Sequence, residues 1–268
     1  MLKQSFNTPG RVRLDLRVPA GRVEVHAGET DRTEVEVEPL NDAAEQSLDE
    51  VTISGGPSGE RFELRVDTEA GRAFLRLKTP EFRVVVTTGA GAELNARTAS
   101  ADVEATGALG NTEVSTASGD VLLEEIDGWD RIRTASGDLR IGRVSGEADV
   151  QTVSGDLDLG SVGGPLRGQL VSGDSTVREA TADVRIRSVS GDQRLESVQQ
   201  GDVRAEAVSG DVTIAIRPGS RFFVDANSVS GDTSSELDLE GSEPQGEGPL
   251  VDVRAKTVSG DIRIVRAG

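Results

Sequence analysis

Apolar and polar residues alternate along most of the chain, which is the pattern of β-strands that bury one face. Residues 139–141 read Leu-Arg-Ile, and residues 157–159, 18 positions later, read Leu-Asp-Leu. A glycine or another turn residue recurs about every nine positions, and Pro165 is the only proline between residues 81 and 217. Short strands joined by tight corners fit this pattern, whereas helices do not.

The tripeptide Ser-Gly-Asp recurs through the second two-thirds of the chain, nearly always after a small or β-branched residue. Counted from Ser100 of a degenerate Ser-Ala-Asp, its serines are separated by 18, 18, 18, 18, 18, 19, 21 and 29 residues. They are Ser118, Ser136, Ser154, Ser172, Ser190, Ser209, Ser230 and Ser259. A constant period with two turns per unit predicts an all-β fold, a parallel β-solenoid (β-helix) of about nine 18-residue, two-strand coils.

Two columns of residues are expected to stack in the core of such a solenoid, about 4.8 Å apart from coil to coil. The first column is Val114, Ile132, Val150, Gly168, Ile186, Ala205, Ala226 and Ala255. The second column is Val103, Val121, Leu139, Leu157, Ser175, Gln193, Val212, Thr233 and Ile262. The second column contains the polar residues Ser175, Gln193 and Thr233, and we expect the core to be packed most loosely around them.

The Ser-Gly-Asp signature is missing from residues 1–97, although these residues also alternate. We expect them to form an N-terminal β cap or irregular coils, with the regular solenoid in residues 98–268. A single continuous domain is the alternative. Residues 236–250 are acidic and rich in Gly and Pro, account for the 29-residue spacing, and are expected to form a loop inserted into the last coils.

The repeat resembles that of the bacterial "putative adhesin" family of β-strand-repeat proteins, a domain of unknown function. The similarity lies in the segments Thr-Ala-Ser-Gly-Asp-Val and Thr-Val-Ser-Gly-Asp-Leu, in Phe6 and Gly21, and in Val-Arg-Leu-Asp-Leu at residues 12–16 and Val-Glu-Val at residues 23–25. The resemblance implies a β-solenoid-like fold, no established enzymatic activity and, in some members, association with the bacterial envelope and its stress responses. The family has no catalytic residues to carry over.

The composition narrows the function classes further. The 268 residues include 47 acidic and 29 basic side chains, a net charge of −18, which argues against nucleic acid and anionic lipid as partners. The chain has no Cys and one His, His26, so thiolate chemistry and His-based relays are excluded. We therefore predict no enzyme activity, no catalytic residue and no cofactor.

The aspartates of the repeat form a turn ladder, and two roles are open to it. In the first, Gly provides the corner while Ser and Asp oxygens accept bonds from turn N–H groups. In the second, the stacked carboxylates bind Ca²⁺. Calcium-binding β-rolls have Asp at both turns of a coil, whereas here only one turn has it, which favours the structural role. The members are Asp102, Asp120, Asp138, Asp156, Asp174, Asp192, Asp211, Asp232 and Asp261.

A charged column precedes each repeat serine by five residues: Glu113, Arg131, Asp149, Arg167, Arg185, Arg204, Asp225 and Arg254. Arg and Asp on a solenoid face occur in polysaccharide lyases, so a Ca²⁺-dependent polysaccharide-active enzyme is one hypothesis. Salt bridges between coils are the favoured interpretation. A hydroxyl column, Thr116, Thr134, Thr152, Ser188, Ser228 and Thr257, matches the arrays of ice-binding proteins, but inward hydroxyls are favoured.

Two non-catalytic functions remain: an adhesin-like interaction scaffold with a protein or cell-surface partner, and a self-assembling solenoid. For the second, Ile262, Ile264 and Val265 of the last strand are expected to form an open edge that joins another copy into a homo-oligomer. No signal peptide or membrane span is recognisable. A cytoplasmic location is therefore expected, with envelope association as the alternative that the resemblance implies.

Overall fold

The computed structural model describes residues 1–69, 78–237 and 248–268, and the described residues are dominated by β-strands. The chain divides into two compact units, Met1–Asp138 and Leu139–Gly268. Whether residues 1–97 act as a separate cap stays a prediction. Most of the predicted loop at 236–250 lies outside the described residues. No helix in the described ranges is both long enough and apolar enough to cross a membrane.

The first unit consists of strands that bury alternate residues between two sheets, with one short helix and one 3-10 turn. The strands are β1 (Leu2–Asn7), β2 (Val12–Val18), β3 (Gly21–Gly28), β4 (Arg32–Pro39), β5 (Thr52–Ser58), β6 (Arg61–Asp67), β7 (Phe82–Gly89), β8 (Glu93–Thr98), β9 (Asp102–Leu109), β10 (Thr112–Thr116), β11 (Val121–Ile126) and β12 (Asp130–Ser136). Helix α1 spans Asp42–Glu45, and the 3-10 turn spans Leu48–Glu50.

Strand order in the first unit is β1-β4-β7-β3-β9-β11 in one sheet and β5-β6-β2-β8-β10-β12 in the other. The pairs β1–β4, β4–β7 and β5–β6 are antiparallel, and the other pairs are parallel. Each antiparallel pair described in the first unit therefore lies among strands before β8, whereas the pairs from β8 onwards are parallel, with one register shift between β9 and β11.

The second unit repeats the two-strand coil with the predicted turns. Its strands are β13 (Leu139–Val144), β14 (Ala148–Ser154), β15 (Leu157–Val162), β16 (Leu166–Ser172), β17 (Ser175–Ala180), β18 (Val184–Ser190), β19 (Gln193–Val198), β20 (Gly201–Ser209), β21 (Val212–Ile216), β22 (Arg221–Ser230), β23 (Thr233–Ser235), β24 (Leu250–Ser259) and β25 (Ile262–Arg266). One sheet has the order β13-β15-β17-β19-β21-β25-β23 and the other β14-β16-β18-β20-β24-β22. The predicted all-β solenoid fold is confirmed.

The core lies between the two sheets of each unit and contains the predicted inward columns. Val114, Ile132, Leu139 and Leu157 are at most 1% exposed, because successive coils bring these apolar side chains into contact. The columns are less well covered at the end of the second unit. There the inward residue Ala226 of β22 is half-buried, and Thr233 of β23 is exposed.

Two polar residues lie in the core where the sequence predicts loose packing. Gln193 is 1% exposed, and its Nε2 donates to Ser188 Oγ at 2.8 Å and to the carbonyl oxygen of Glu206 at 2.9 Å. Ser175, its neighbour in the preceding coil, is equally buried. Among the described residues, Ser175 Oγ has no hydrogen-bond partner. The second inward column therefore has a polar interruption at these two coils.

The coils at the end of the second unit are not stacked in chain order. Strand β24 pairs with β20 on one side and β22 on the other, and β25 pairs with β21 and β23. The last coil of the sequence thus lies between the two coils that precede it. In the first unit, strands β2 and β3 likewise lie between the coil of β6–β7 and the coil of β8–β9.

This order makes the predicted C-terminal edge wrong. Ile262 pairs with Val212 and also with Thr233. Ile264 is likewise paired on both sides, and Val265 pairs with Ala215 of β21. The reason is that the regular coils share one strand pattern, so β24 and β25 can pair between earlier coils. The sequence between β23 and β24 is long enough to permit this order. The outermost strands at this end are β22 and β23.

Candidate functional site

Each regular Ser-Gly-Asp turn joins a strand of one sheet to the next strand in the other. Its glycine has a positive φ at seven of the eight turns, as in Gly173, where φ is +124°, and the exception is Gly119. A Cβ at Gly173 would also collide with the carbonyl oxygen of Gly155 in the neighbouring coil. Only glycine satisfies both conditions at Gly173, whereas at Gly119 the close approach to the carbonyl oxygen of Ala101 alone requires it.

The aspartates of these turns form a continuous hydrogen-bonded ladder within each unit. The backbone N–H of each Asp donates to Oδ1 of the Asp in the adjacent coil, at 2.8 Å for Asp174 to Asp156. Equivalent bonds of 2.8–3.1 Å link Asp120 to Asp102, Asp138 to Asp120, Asp192 to Asp174, Asp211 to Asp192, Asp261 to Asp211 and Asp232 to Asp261. One oxygen of each accepting carboxylate is therefore used to hold the next turn.

This geometry bears on the calcium interpretation of the turn ladder. Within residues 1–69, 78–237 and 248–268, no three Asp, Glu, His or Cys side chains converge into a group able to hold a metal ion. Ca²⁺ takes six to eight oxygen ligands. The ladder spaces its carboxylates along the solenoid and uses Oδ1 for backbone bonds. The structural role, which the sequence favours, accounts for the observed contacts, and calcium binding stays an untested alternative.

The hydroxyl column faces inward and stabilises the same turns. Thr134 and Thr152 are 6% and 3% exposed, and each donates from Oγ1 to the carbonyl oxygen of the repeat serine two residues later, at 2.8 and 3.2 Å. Thr116 Oγ1 instead accepts from the N–H of Gly119 at 3.0 Å. Because these hydroxyls are buried, they do not form the exposed array that ice binding requires.

The charged column faces outward, and part of it lines a shallow cleft. Arg167, Arg185, Arg204 and Arg254 occupy equivalent positions on four adjacent coils. The first three line a cleft of about 160 Å³ together with Asp183 and Asp202.

Among the described residues, ion pairs hold three of these four arginines. Arg204 and Arg254 pair with Asp202 and Asp252 of their own strands, at 2.7 and 3.0 Å. Arg167 pairs with Glu147 of the preceding coil at 3.1 Å. Of these three pairs, the one between Arg167 and Glu147 joins two coils, as predicted, and its acidic partner lies outside the charged column. Exposed pairs of this kind contribute about 0.2–1 kcal/mol each.

A better-formed ion pair lies on the outer face of the first unit. The Nε and Nη2 atoms of Arg83 donate to Oε1 and Oε2 of Glu24, both at 2.8 Å. These bonds hold the pKa of Glu24 below its usual value. His26, two residues further along β3, has its Nδ1 2.9 Å from Thr106 Oγ1. The only histidine thus contacts a hydroxyl of the neighbouring strand β9.

Sequence reasoning missed one outward column, the residue immediately before each repeat serine. In the second unit this residue is always valine: Val153, Val171, Val189, Val208, Val229 and Val258. Each is between 45% and 77% exposed. In the first unit the equivalent residues are Ala99, Ala117 and Ala135. The signal was present in the sequence, because a strand that alternates inward threonine with valine must turn the valine outward.

Comparison with known proteins places the chain in a family without assigning an activity. No curated protein matches the sequence. A putative adhesin from Parabacteroides distasonis is 12% identical with a TM-score of 0.42, covering 98% of this chain and 96% of that chain. One from Parabacteroides merdae is 11% identical with a TM-score of 0.38, covering 99% and 95%. Because these scores are low, we infer no function from them.

The family model described as Toastrack DUF4097 matches residues 12–265. The match includes the irregular strands from β2 onwards as well as the Ser-Gly-Asp coils. It agrees with the resemblance to bacterial adhesin-like β-strand-repeat proteins of unknown function. The chain therefore belongs to the Toastrack DUF4097 family.

Proposed function

We propose that this protein is a non-catalytic, adhesin-like scaffold whose repeated outward side chains bind a protein or cell-surface partner. The observation that carries the proposal is the register of Arg167, Arg185, Arg204 and Arg254 on four adjacent coils. A partner with a repeating surface would meet the same guanidinium group at each coil, about 4.8 Å apart. Such a surface supports binding through many weak, equivalent contacts.

The roles of the candidate reactive groups also support a scaffold. Asp156, Asp174 and Asp192 each accept a backbone N–H of the next turn. Arg204 is held by two hydrogen bonds from its guanidinium to Asp202. These side chains stabilise the coils, and their exposed atoms are available to a ligand. Association with the bacterial envelope is part of the proposal, because the family resemblance implies it.

Cosedimentation of the purified protein with an isolated bacterial envelope fraction tests this proposal. We expect binding that weakens at least tenfold in R167Q/R185Q/R204Q. The matched control is R140Q/R178Q/R194Q, which removes three exposed arginines from the opposite sheet of the same unit and should bind normally. Binding no greater than that of an inert acidic protein, or cleavage of an added acidic polysaccharide, would contradict it.

End-to-end self-assembly is the second candidate function, and it is favoured by the outermost coil rather than by the C-terminal strand. Strand β22 has no fully buried residue, and among the described residues only β24 pairs with it. An exposed strand edge of this kind can pair with another chain. We expect Ala226→Lys, which places a charge at a half-buried inward position of β22, to abolish any polymer seen by light scattering. A polymer that persists in this variant would contradict assembly through β22.

A further inference from the structure

An exposed apolar ladder runs along the outer face of the second unit, on the sheet that contains β14. We call it the valine ladder; in spatial order it consists of Val153, Val171, Val189, Val208, Val258 and Val229. The flanking residues of adjacent strands pair in register, as Thr152 does with Leu170 and Ser154 with Ser172. The six side chains are therefore stacked at about 4.8 Å, over a length of about 24 Å.

The residues beside the valine ladder carry almost no net charge. Two positions before each valine, the outward residues are Gln151, Gln169, Arg187, Glu206, Lys256 and Asn227. Arg187 and Glu206 neutralise each other in an ion pair of 2.9 Å. On the other side of the ladder lie the exposed repeat serines. Apart from the charged Lys256, the positions two residues before each valine are neutral or ion-paired, so the apolar line can be desolvated at little electrostatic cost.

We propose that the valine ladder is the contact surface for a second copy of this chain, in a side-by-side dimer. The spacing of the valines from coil to coil favours a second copy as the partner. A partner must offer an apolar group about every 4.8 Å to contact all six valines, and another copy of this solenoid does so by construction. Identical ladders can interdigitate as side chains do in a dry steric zipper. A two-fold axis then makes the surface self-complementary.

Charge selects the direction of the second copy. One border of the face is the turn ladder of Asp156, Asp174, Asp192, Asp211, Asp261 and Asp232. The other border is the charged column, in which arginines at Arg167, Arg185, Arg204 and Arg254 lie between Asp149 and Asp225, and three of these arginines pair with Glu147, Asp202 and Asp252. A two-fold axis parallel to the solenoid places the turn ladder of each copy opposite the arginine-containing border of its partner, so that the two turn ladders do not face each other. An antiparallel pair would instead bring six aspartates against six aspartates, which is unfavourable.

The size of the face is adequate for a specific dimer. Each of the six coils contributes three outward residues and one repeat serine, which makes 24 residues. Stable interfaces use roughly 20–30 residues from each partner. The first unit has alanine instead of valine at the equivalent positions, so this apolar surface is confined to the second unit. The face includes the arginines proposed above to bind an envelope partner, and the valine variants test the dimer separately because they leave those arginines unchanged.

Light scattering on the full-length protein at about 50 µM tests the dimer. The chain has a mass of 28.1 kDa, and we expect light scattering to give twice that mass for the wild-type protein. V171N/V189N/V208N should be monomeric, whereas Leu122→Asn, which alters an exposed leucine of the first unit, should remain dimeric. V171A/V189A/V208A introduces the residue found at Ala99, Ala117 and Ala135, and should weaken the dimer at least tenfold with an unchanged circular dichroism spectrum. A wild-type monomer, or a dimer that survives all three valine changes, would overturn the inference.

Cross-linking tests the direction. Because the chain has no cysteine, a single Val153→Cys variant gives an unambiguous signal. In the parallel dimer Val153 lies opposite Val153 of the second copy, so mild oxidation should yield a disulfide-linked homodimer. A mixture of V153C and V229C that forms only the mixed disulfide would show the antiparallel arrangement and overturn the parallel one. An open polymer abolished by Ala226→Lys but unaffected by the valine changes would show end-to-end assembly instead.

Discussion

The backbone N–H of Asp261 donates to Oδ1 of Asp211 at 2.8 Å, although 50 residues separate the two aspartates. Asp232, which lies between them in the sequence, instead donates its N–H to Asp261 at 3.0 Å. The turn ladder therefore records the spatial order of the last coils. The carboxylates of Asp211 and Asp261 accept a backbone N–H from the adjacent turn, whereas Asp232 is the last member of the ladder.

The end of the ladder predicts unequal effects for identical substitutions. Asp211 and Asp261 each accept a backbone N–H and pair with Arg263, at 3.2 and 2.9 Å. We expect D211A and D261A each to lower the free energy of unfolding by about 1 kcal/mol. D232A is the control and should have little effect, because among the described residues no hydrogen bond or ion pair to its carboxylate is found. Urea unfolding measures all three, and a larger loss in D232A than in D261A would contradict the spatial order.

Two glycines should respond oppositely to alanine. Gly173→Ala forces a side chain onto a residue with φ of +124° and against the carbonyl oxygen of Gly155, so we expect a loss of more than about 1 kcal/mol. Gly168 lies in the inward column between Val150 and Ile186, and a Cβ there meets ordinary contacts from 3.4 Å. Gly168→Ala should be neutral or stabilise by up to about 1 kcal/mol. Thermal unfolding decides, and equal effects at both sites would contradict the turn geometry.

The buried hydroxyl of Ser175 should cost stability. Its neighbours in the column include Leu157, and Oγ lacks a partner among the described residues. Ser175→Val removes a desolvated hydroxyl and adds apolar contact, so we expect stabilisation by about 1 kcal/mol. Thr176→Val, on the outward face of the same strand, is the control and should change little. A lower melting temperature for Ser175→Val would show that this part of the core is already full.

The Glu24–Arg83 pair predicts a pH-dependent contribution to stability. Because the pKa of Glu24 is lowered in the folded state, its contribution is complete above the usual carboxyl pKa of about 4.5 and is lost as pH falls through the lower, folded-state value. E24Q should therefore be destabilised at pH 7 and approach wild type in acid. The same substitution in an R83Q background should show no such pH dependence. A constant difference between E24Q and wild type from pH 7 to pH 3 would contradict this assignment.

Chelation addresses the calcium interpretation of the turn ladder. Since Oδ1 of Asp156 and its equivalents accepts a backbone N–H, we expect the melting temperature to be the same with excess EDTA and with millimolar Ca²⁺. Mg²⁺ serves as the control for ionic strength. A rise of several degrees that is specific to Ca²⁺ would show that the ladder binds the ion.

Much of the fold follows from local patterns that repeat. The 18-residue period and the alternation around Leu139 and Leu157 predict two-strand coils, because side chains on a strand alternate in direction and identical coils must stack in register. The polar interruption at Ser175 and Gln193 was visible for the same reason. The inward orientation of Thr134 follows from its spacing relative to Ile132. The outward valines obey this rule too, although their exposure became evident only in the structure.

The sequence by itself determined the coil, its corners and the direction of nearly every side chain within it, since these depend on residues close together in the chain. Tertiary structure alone decided which coil lies beside which. Every coil presents the same strand edges and the same Asp carboxylate, so β24 can pair with β20 as readily as β22 can, and local pattern cannot distinguish the two. Long connections make both orders reachable. Packing of the whole unit buries Val251 and Val253 of β24 and leaves β22 outermost. The exposed strand edge of this sheet therefore belongs to β22 and not to β24.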